Sequence, residues 1–350
     1  MYKFDKLTVC LDMYGCANRC RHCRLGFSPK KDMNETVLVT VAKKFGPFTR
    51  KLEICDWYRE PDYNKGYKWL WQLTTALSDN KKVHSQQVNC WRAVRDEEYI
   101  PWLKSLGLKT GLITLYGNSM TTDYYIGRKG AYSDTLRTMD FLIKNGIAPC
   151  LQIYVNKDSI RELADIAELL KENNYEYRCQ RFGGRFSVYI KQGVCDGENV
   201  KLYDLRLTSD DVDRIPEYLI NETKRYMRAK NTEEIFGKTG GELFRELTAD
   251  KSTENLAEKS PVFYVDNNLD VFPSISAPTP SWHLGNLKYS DINDIVKNYT
   301  ENRTKAQRVR LNTPISEIVG AVGNPNCDRL FKREDYIIYM LNKYCKETNG

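Results

Sequence analysis

The first half of the chain alternates short apolar segments with amphipathic helical patterns, and this alternation restricts the possible folds more than any other feature. Apolar segments of strand length occur at six places, residues 8–13, 51–55, 87–90, 110–116, 149–155 and 176–182. Strands that are separated by helices pair in parallel through right-handed crossovers. We therefore predict an α/β fold whose main part is a partial (β/α)6 TIM-type barrel over residues 1–190.

Helical periodicity is clearest in two of the segments between these strands. One segment carries an apolar stripe that ends before Gly146 and is formed by Tyr132, Leu136, Met139 and Ile143. The other segment begins with Ser159 and Glu162, whose spacing predicts a capping box at the start of a helix. Both segments are therefore predicted to be crossover helices.

The C-terminal part, residues 191–350, does not continue this alternation. Thr208 is the predicted N-cap of a helix over residues 209–229, which Pro216 kinks or restarts. Residues 262–272 predict a hairpin that turns at Asn267 and Asn268. We therefore predict that a smaller C-terminal α+β cap domain follows the barrel.

Composition argues against several classes of protein. Hydrophobic residues make up 41% and charged residues 28% of the 350 residues, which is typical of a globular chain with a sizeable core. The sequence shows neither a secretory signal nor an apolar run of membrane-spanning length, so we predict a cytoplasmic location and no membrane partner. The net charge of +7 arises from 53 basic and 46 acidic residues. This small excess does not favour nucleic-acid binding, and it is compatible with an anionic small substrate.

Eleven cysteines in a chain without a signal peptide indicate metal ligands or catalytic groups rather than disulfides. Three of them, Cys16, Cys20 and Cys23, follow the first predicted strand, and active sites lie at the carboxyl ends of barrel strands. A cubane held by three cysteines leaves one iron open to a substrate or cofactor. The alternative is a structural zinc ion with His22 as a fourth ligand, although His22 and the adjacent Cys23 would have to fold back onto one ion.

The spacing Cys16-x3-Cys20-x2-Cys23 after a first barrel strand resembles the signature of the radical S-adenosylmethionine superfamily. This resemblance covers about residues 5–185. It implies a [4Fe–4S] cluster on the three cysteines and S-adenosylmethionine (AdoMet) bound at the open iron. Members usually carry an aromatic residue just before the last cysteine, which is the position of His22.

The resemblance also implies a set of cofactor-binding residues. Residues 57–61 stand where the family carries Gly-Gly-Glu-Pro, so Glu60 is expected to accept hydrogen bonds from the methionyl ammonium group. Residues 115–117 and the glycine-rich stretch around Arg128 resemble the fourth-strand segment and the start of its helix. Including the polar side chains of the fourth and fifth strands, the expected cofactor-binding residues are His22, Glu60, Thr114, Tyr116, Arg128, Gln152 and Asn156.

Strand alternation gives an independent indication of a ligand cavity. One parity of the predicted strands is polar and comprises Cys10, Asp12, Glu53, Cys55, Thr114, Tyr116, Gln152, Tyr154 and Asn156. The other parity is apolar throughout, from Val9 to Val155. A closed barrel lumen is normally packed with Val, Ile and Leu, so a polar lumen favours a bound cofactor and substrate. One of Cys10, Cys55 and Cys90 is then a candidate hydrogen-atom donor, and ordinary core cysteines are the alternative.

In the C-terminal part, residues 262–274 and 284–287 resemble the auxiliary-cluster domain called SPASM. Ser274 stands where that domain has a cysteine. The remaining candidate ligands of a second cluster are Cys179, Cys195, Cys327 and Cys345. The resemblance implies a degenerate SPASM or twitch-like cap without an auxiliary cluster, and an unrelated α+β cap is the alternative.

These resemblances imply an enzyme that cleaves AdoMet reductively to a 5′-deoxyadenosyl radical. That radical would abstract a hydrogen atom from a peptide or small-molecule substrate in a biosynthetic or peptide-modification pathway. The electron is expected from a donor such as flavodoxin or ferredoxin. The sequence leaves the later reaction steps open. Two other hypotheses remain, which are a non-catalytic zinc- or cluster-binding sensor and an RNA-modifying enzyme of the same superfamily.

Overall fold

The computed structural model describes residues 3–26, 33–56, 61–79 and 85–348. Its strands are β1 Leu7–Leu11, β2 Leu52–Cys55, β3 Ser85–Gln87, β4 Thr110–Leu115, β5 Ala148–Tyr154, β6 Ser187–Lys191, β7 Lys238–Thr239, β8 Val262–Val265, β9 Asp270–Pro273, β10 Gly285–Asn286 and β11 Leu330–Phe331. Its α-helices are α1 Thr36–Phe45, α2 Tyr67–Leu77, α3 Cys90–Ala93, α4 Tyr99–Ser105, α5 Ser119–Ile126, α6 Ala131–Lys144, α7 Leu163–Glu172, α8 Tyr175–Gln180, α9 Ser209–Val212, α10 Glu217–Met227, α11 Thr232–Phe236, α12 Gly240–Thr248, α13 Ile292–Thr300, α14 Lys305–Asn312, α15 Ile315–Val322 and α16 Arg333–Glu347.

Two sheets carry the barrel. Strands β3, β4, β5 and β6 pair in parallel in that order, and β1 pairs in parallel with β2 in the other sheet. Within the described residues no strand pairing joins β2 to β3 or closes the ring. The predicted α/β class and partial barrel are therefore confirmed, and the barrel is open.

The predicted C-terminal hairpin is formed by β8 and β9, which pair antiparallel. Asp266 stabilises the turn by accepting bonds from the backbone nitrogens of Asn268 at 2.8 Å and Asp270 at 3.0 Å. Strand β8 also pairs in parallel with β1, with Val262 opposite Thr8. The sheet β10-β9-β8-β1-β2 thus joins strands from both sides of residue 190, and the division into two domains stays a prediction.

On each of the two sheets that carry the barrel, the apolar side chains occupy every second strand position, and each sheet buries them in its own hydrophobic core. Leu115 and Ile153 belong to the core on sheet β3–β6 and its crossover helices. Val9 and Ile54 belong to a second core at β1 and β2, and a third core is formed in the C-terminal part. The apolar parity therefore faces these cores, as the alternation predicts, and the polar parity is left for the opposite face.

The sixth strand lies later in the chain than predicted. Residues 176–182 fall largely within helix α8, and the strand is β6. Tyr175 and Cys179 are buried whereas Tyr177 is 66% exposed, so burial follows the i, i+4 spacing of a helix and not strand alternation. The turn at Gly183, where φ is +73°, therefore precedes the strand.

The third strand was predicted too late, because β3 ends at Gln87. Asn89 instead begins a helix, since its side-chain oxygen accepts a bond from the backbone nitrogen of Arg92 at 2.9 Å. Cys90 is consequently the first residue of α3. An N-cap asparagine outweighs the strand-like pattern at this position.

The capping box predicted for Ser159 and Glu162 is not formed. Residues Ile160–Glu162 form a 3₁₀ turn before α7. The Glu162 carboxylate instead accepts bonds from the backbone nitrogen of Asn118 at 2.8 Å and from Thr121 Oγ1 at 2.7 Å. It therefore caps the N-terminus of α5, where a negative charge is favourable.

Two other helix predictions are confirmed. The apolar stripe around Met139 lies in α6, which ends at Lys144, two residues before Gly146. Thr208 and Asp211 form a capping box at α9. Pro216 separates α9 from α10, which is the break in the helix that the sequence predicted at this proline. Among the described residues, no helix combines the length and the hydropathy that a membrane span requires.

Candidate functional site

The three motif cysteines lie in an irregular loop, residues 12–26, that follows β1. The backbone nitrogen of Cys23 donates to the carbonyl oxygen of Cys20, and that of Gly26 donates to the carbonyl oxygen of Cys23, both at 3.1 Å. The backbone nitrogen of Asn18 donates to Cys16 Sγ at 3.4 Å. All three cysteines are half-buried and line the same cavity. The fold thus brings the predicted cluster ligands to one cavity beyond the carboxyl end of β1.

The C-terminal end of α5 holds this cysteine loop in place. The backbone nitrogen of Arg19 donates to the carbonyl oxygen of Ile126, and that of Arg21 donates to the carbonyl oxygen of Tyr125, both at 2.9 Å. Gly127 follows with a φ of +68°, and a Cβ atom there would lie 2.5 Å from the carbonyl oxygen of Arg19. Glycine is therefore required where the helix meets the loop.

The cavity has a volume of about 890 Å³. This value lies near the upper end of the roughly 300–1,000 Å³ that is typical of ligand pockets. The wall opposite the cysteine loop is formed by the ends of β4, β5 and β6 and by the segment after β6. Five of the predicted cofactor-binding residues line the cavity, namely His22, Thr114, Tyr116, Arg128 and Gln152.

Three aromatic rings form one part of the wall. The His22 ring packs on Tyr154 with centroids 4.2 Å apart, and Tyr154 stacks on Tyr116 at 5.3 Å. The Tyr116 hydroxyl lies 2.8 Å from His22 Nε2. Burial, followed by the charge of Lys191, lowers the pKa of His22 to about 3, so the imidazole is neutral at physiological pH. Burial, followed by the thiolates of Cys20 and Cys23, raises the pKa of Tyr154 to about 12.

Polar groups of adjacent strands form another part of the wall. Thr114 of β4 is paired in register with Gln152 of β5, and Gln152 Nε2 lies 3.5 Å from Thr114 Oγ1. The Tyr189 hydroxyl of β6 donates to Gln152 Oε1 at 2.6 Å. This bond orients the carboxamide, so its nitrogen stays available to donate a hydrogen bond to a ligand oxygen near Thr114.

Arg128 links the cysteine loop to helix α6. Its Nε donates to Asn18 Oδ1 at 2.9 Å, and its guanidinium pairs with Asp134 Oδ2 at 2.5 Å. Arg95 also pairs with Asp134, at 2.9 Å. In this structure Arg128 therefore holds the loop at Asn18 through a charge-assisted network.

Asn156 lies outside the lining of the main cavity. It borders a small recess of about 20 Å³ behind His22 and Tyr116. Its side-chain oxygen accepts bonds from the backbone nitrogens of Asp158 and Ser159, both at 3.0 Å. The structure thus gives Asn156 a local role in the turn after β5, and its contact with a cofactor stays a prediction.

Glu60, the expected ligand of the methionyl ammonium group, lies outside the described residues together with residues 57–59. Buried carboxyl groups stand on both sides of this segment. Burial and then the charge of Asp62 raise the pKa of Asp56 to about 7. Burial raises the pKa of Asp62 to about 6, although the Tyr99 hydroxyl donates to its carboxylate at 2.7 Å. The sequence analysis did not single out these two carboxyl groups.

The segment after β6 closes over the cysteine loop. The backbone nitrogen of Glu198 donates to the carbonyl oxygen of Cys23 at 3.1 Å. Arg24 reaches the C-terminal hairpin, where its guanidinium donates to Ser274 Oγ at 2.8 Å and to the Ser274 carbonyl oxygen at 3.2 Å. Ser274, which stands where SPASM domains have a cysteine, therefore anchors the cysteine loop by hydrogen bonds.

The other candidate cysteines occupy different places. Cys90 lines the cavity, whereas Cys10 and Cys55 are neighbours in the β1–β2 register outside its lining. Of the second-cluster candidates, Cys179 is buried in the core on sheet β3–β6, and the other three are buried in the C-terminal core. The predicted lack of an auxiliary cluster stays a prediction.

Sequence analysis also missed Lys191 and Glu198, which line the cavity. Lys191 is the last residue of β6, so the misplacement of the sixth strand hid it. With the correct strand, alternation places Tyr189 and Lys191 on one parity, and Lys191 is in register with Tyr154.

The loop thiols do not form a ready-made site for a single metal ion. Among the described residues, no group of three or more His, Cys, Asp or Glu side chains is arranged to hold one metal ion. A zinc ion needs its ligands about 2.0–2.3 Å from one centre, whereas in a cubane each cysteine binds a different iron. Cys16, Cys20 and Cys23 line one cavity, and their role as ligands of a [4Fe–4S] cluster stays a prediction.

Comparison with known proteins gives partial relatives and a shared fold. No family model matches the chain. An Fe-coproporphyrin III synthase of Methanosarcina barkeri is 30% identical over 115 residues, which are 32% of this chain and 29% of that protein. The sporulation killing factor maturation protein SkfB of Bacillus subtilis is 31% identical over 104 residues, 30% of this chain and 24% of that protein. The chain thus matches less than a third of the length of either relative.

The native anSMEcpe structure with bound AdoMet and Cp18Cys peptide has the same fold, with a TM-score of 0.53. The match covers 98% of this chain and 99% of that chain at 14% identity. The SPASM resemblance of the C-terminal part is not confirmed by these comparisons and stays a prediction. The cysteine motif, the α/β barrel and the two partial relatives together support the resemblance to the radical S-adenosylmethionine superfamily.

Proposed function

We propose that the protein is an enzyme that holds a [4Fe–4S] cluster on Cys16, Cys20 and Cys23 and binds AdoMet in the adjoining cavity. It would then abstract a hydrogen atom from a substrate in the same cavity. The observation that carries this proposal is the cavity itself. The three half-buried cysteines line one space of about 890 Å³ together with five residues that the sequence predicted for cofactor binding.

When bound, the cluster and AdoMet would supply a hydrogen-abstracting radical through one-electron cleavage of the cofactor. The chain's own task is to bind, orient and exclude water. Thr114 and Gln152 offer polar contacts from the strand ends, and Glu60 would bind the methionyl ammonium. The stacked rings of Tyr116 and Tyr154 shield one wall from solvent. A cytoplasmic flavodoxin or ferredoxin would supply the electron.

A peptide is the substrate that we favour. The anSMEcpe structure contains a bound peptide, and SkfB is a maturation protein of a sporulation killing factor. A small molecule is the second candidate, because the other relative is an Fe-coproporphyrin III synthase. A short precursor-peptide reading frame beside the gene would favour the peptide.

Anaerobic reconstitution tests the proposed function. The wild-type protein should bind about four irons per chain and form 5′-deoxyadenosine from AdoMet with dithionite. The triple variant Cys16→Ala, Cys20→Ala, Cys23→Ala should do neither, while Cys345→Ala, which changes a buried core cysteine, should do both. Iron-loaded wild type that leaves AdoMet intact would instead support a cluster-binding sensor, and zinc in place of iron would support a zinc site.

A further inference from the structure

Lys191 places a half-buried positive charge on the wall of the cavity. It is the last residue of β6 and is paired in register with Tyr154 of β5. Its Nζ lies 5.5 Å from the centroid of the Tyr154 ring, and this ring packs on His22 of the cysteine loop. The ammonium group therefore lies on the wall that faces the predicted cluster.

The Lys191 ammonium has no counter-ion in residues 3–26, 33–56, 61–79 and 85–348, and no hydrogen-bond acceptor in these ranges pairs with it. The aromatic ring of Tyr154 lies beside it. A cation that is partly removed from water without a partner is unfavourable. A ligand that brings a negative charge to this point would remove that penalty.

The charges around Lys191 add to the need for an anion. Burial, followed by the positive charges of Lys332 and Arg24, lowers the pKa of Lys191. Asp335 opposes this effect, but its carboxylate is already paired with Arg206 at 2.9 Å. Asp335 therefore offers no neutralising contact to Lys191.

The rest of the cavity wall is also basic. The basic residues that line it are Arg19, Arg21, Arg24, Arg128, Lys191 and Lys201. Among the lining residues that the structure describes, Glu198 is the one acidic side chain, and it pairs with Lys201 at 2.6 Å. Arg128 likewise forms an ion pair with Asp134. Arg21 donates to the carbonyl oxygen of Tyr124 and Arg24 donates to Ser274. Lys191 makes no such bond among the described residues, so it is a lining cation that a ligand can neutralise.

We propose that Lys191 binds a carboxylate of the substrate and holds it against the wall formed by Tyr154 and His22. This inference rests on the proposed function and specifies its substrate as acidic. A substrate peptide would present a glutamate, an aspartate or its C-terminal carboxylate to Lys191. The carboxylate of AdoMet is the competing source of the same chemistry, and the experiment separates the two.

The test uses the iron-loaded protein saturated with AdoMet. The probe is the pentapeptide Ala-Ala-Glu-Ala-Ala with blocked termini, and the matched probe carries Gln in place of Glu. Titration calorimetry should show that wild type binds the Glu peptide about tenfold more tightly, because a charge-assisted bond is gained. Lys191→Met should abolish this preference and Lys191→Arg should keep it.

Lys332→Met is the matched control. It removes the same charge from an exposed neighbouring position outside the described cavity lining, and should keep most of the preference. Equal affinities of the two peptides for wild type, no measurable binding of the Glu peptide, or a preference that survives Lys191→Met would each overturn the proposal.

A second titration, with AdoMet, separates the two carboxylates. If Lys191→Met loses as much affinity for AdoMet as for the Glu peptide, the ammonium binds the cofactor and the substrate assignment is wrong. A protein that prefers the Glu peptide but cleaves no AdoMet would contradict the proposed function and leave the Lys191 site in place.

Thermal unfolding distinguishes a binding role from a structural one. Methionine has nearly the length of lysine without its charge, so Lys191→Met should melt at the same temperature as wild type or higher. A melting temperature clearly below that of Lys332→Met would show that Lys191 is needed for folding and would count against a ligand site.

Discussion

Two groups of cysteines in this chain have opposite surroundings. Cys16, Cys20 and Cys23 lie half-buried in an irregular loop on the wall of a large cavity. The second group, Cys195, Cys327 and Cys345, is buried in the apolar core of the C-terminal part. The same side chain is thus exposed to a ligand in one region and packed as a small hydrophobic group in the other.

Electrostatics explains why burial disfavours metal binding in the second group. Burial raises the pKa of Cys195 to about 12 and that of Cys345 to about 11. The thiolate is the form that binds metal, and a buried thiol gives up its proton with difficulty. Cys327 Sγ lies 3.1 Å from the Tyr203 hydroxyl and forms a hydrogen bond with it. The comparison teaches that access and solvation, in addition to spacing, select cluster ligands.

The largest expected effect is on iron content, and single-cysteine variants test the comparison directly. Changing any one of Cys16, Cys20 and Cys23 to Ala should bring iron close to zero after gel filtration, because each thiolate holds one iron. Cys327→Ala with Cys345→Ala should leave about four irons per chain and an unchanged visible spectrum. Close to eight irons in wild type, halved in the double variant, would instead reveal an auxiliary cluster in the C-terminal part.

Alkylation of the metal-free protein should separate the two groups by rate. With a pKa of about 12, Cys195 has roughly a thousandfold less thiolate at neutral pH than an ordinary thiol. Iodoacetamide followed by peptide mass spectrometry should modify the loop cysteines first. Labelling of Cys195 should rise as the pH approaches 12 or as denaturant unfolds the chain. Early modification of Cys195 in native protein at pH 7 would contradict its burial.

Glu60→Gln tests whether the segment after β2 contributes to AdoMet binding. A charge-assisted hydrogen bond to an ammonium group contributes about 1.5–3 kcal/mol, so AdoMet affinity should fall tenfold or more while iron content stays near wild type. Calorimetry measures the affinity. Glu53→Gln is the control, because Lys6 and Lys51 already pair with that carboxylate at 2.7 Å and 2.6 Å. Equal affinity in both variants would mean that residues 57–61 do not contact the cofactor.

Ser274→Ala should give the smallest effect. It removes one hydrogen bond from Arg24 and leaves the bond to the Ser274 carbonyl oxygen. A single hydrogen bond contributes about 1 kcal/mol, which for a chain of 350 residues corresponds to a fall of about 1–2 °C in melting temperature. Scanning calorimetry should place the variant below Ser209→Ala, which changes an exposed serine. An unchanged melting temperature would show that the cap and the cysteine loop are not coupled through Ser274.

Much of the candidate site followed from local sequence. The cysteine spacing and the alternation on the fourth and fifth strands predicted Thr114, Tyr116 and Gln152 on one wall, and all three line the cavity. Alternation succeeds because a strand directs successive side chains to opposite faces regardless of its partners. It failed at residues 176–182, because Tyr175 and Cys179 satisfy the spacing of a helix equally well.

Other features could not be predicted from neighbouring residues. Asn156 has a polar side chain at the right parity, yet its oxygen is used by the turn at Asp158 and Ser159. Glu162 caps α5 rather than its own helix, because Asn118 and Thr121 are brought to it by the packing of the crossovers. In each case a side chain can reach several partners, and tertiary contacts choose between them.

The sequence by itself determined the cysteine motif, the alternation of strands and helices and the polar positions of the fourth and fifth strands that line the cavity. These features depend on residues a few positions apart, whose relative directions the backbone geometry fixes. Only the tertiary structure decided which cysteines are buried, which serine anchors the cysteine loop and which lysine of the cavity wall makes no ion pair with the described residues. Arg24 and Ser274 are 250 positions apart, and the surroundings of Lys191 come from Tyr154, Lys332 and Asp335. Burial and charge pairing at such points depend on how distant segments pack, and local sequence does not encode that packing.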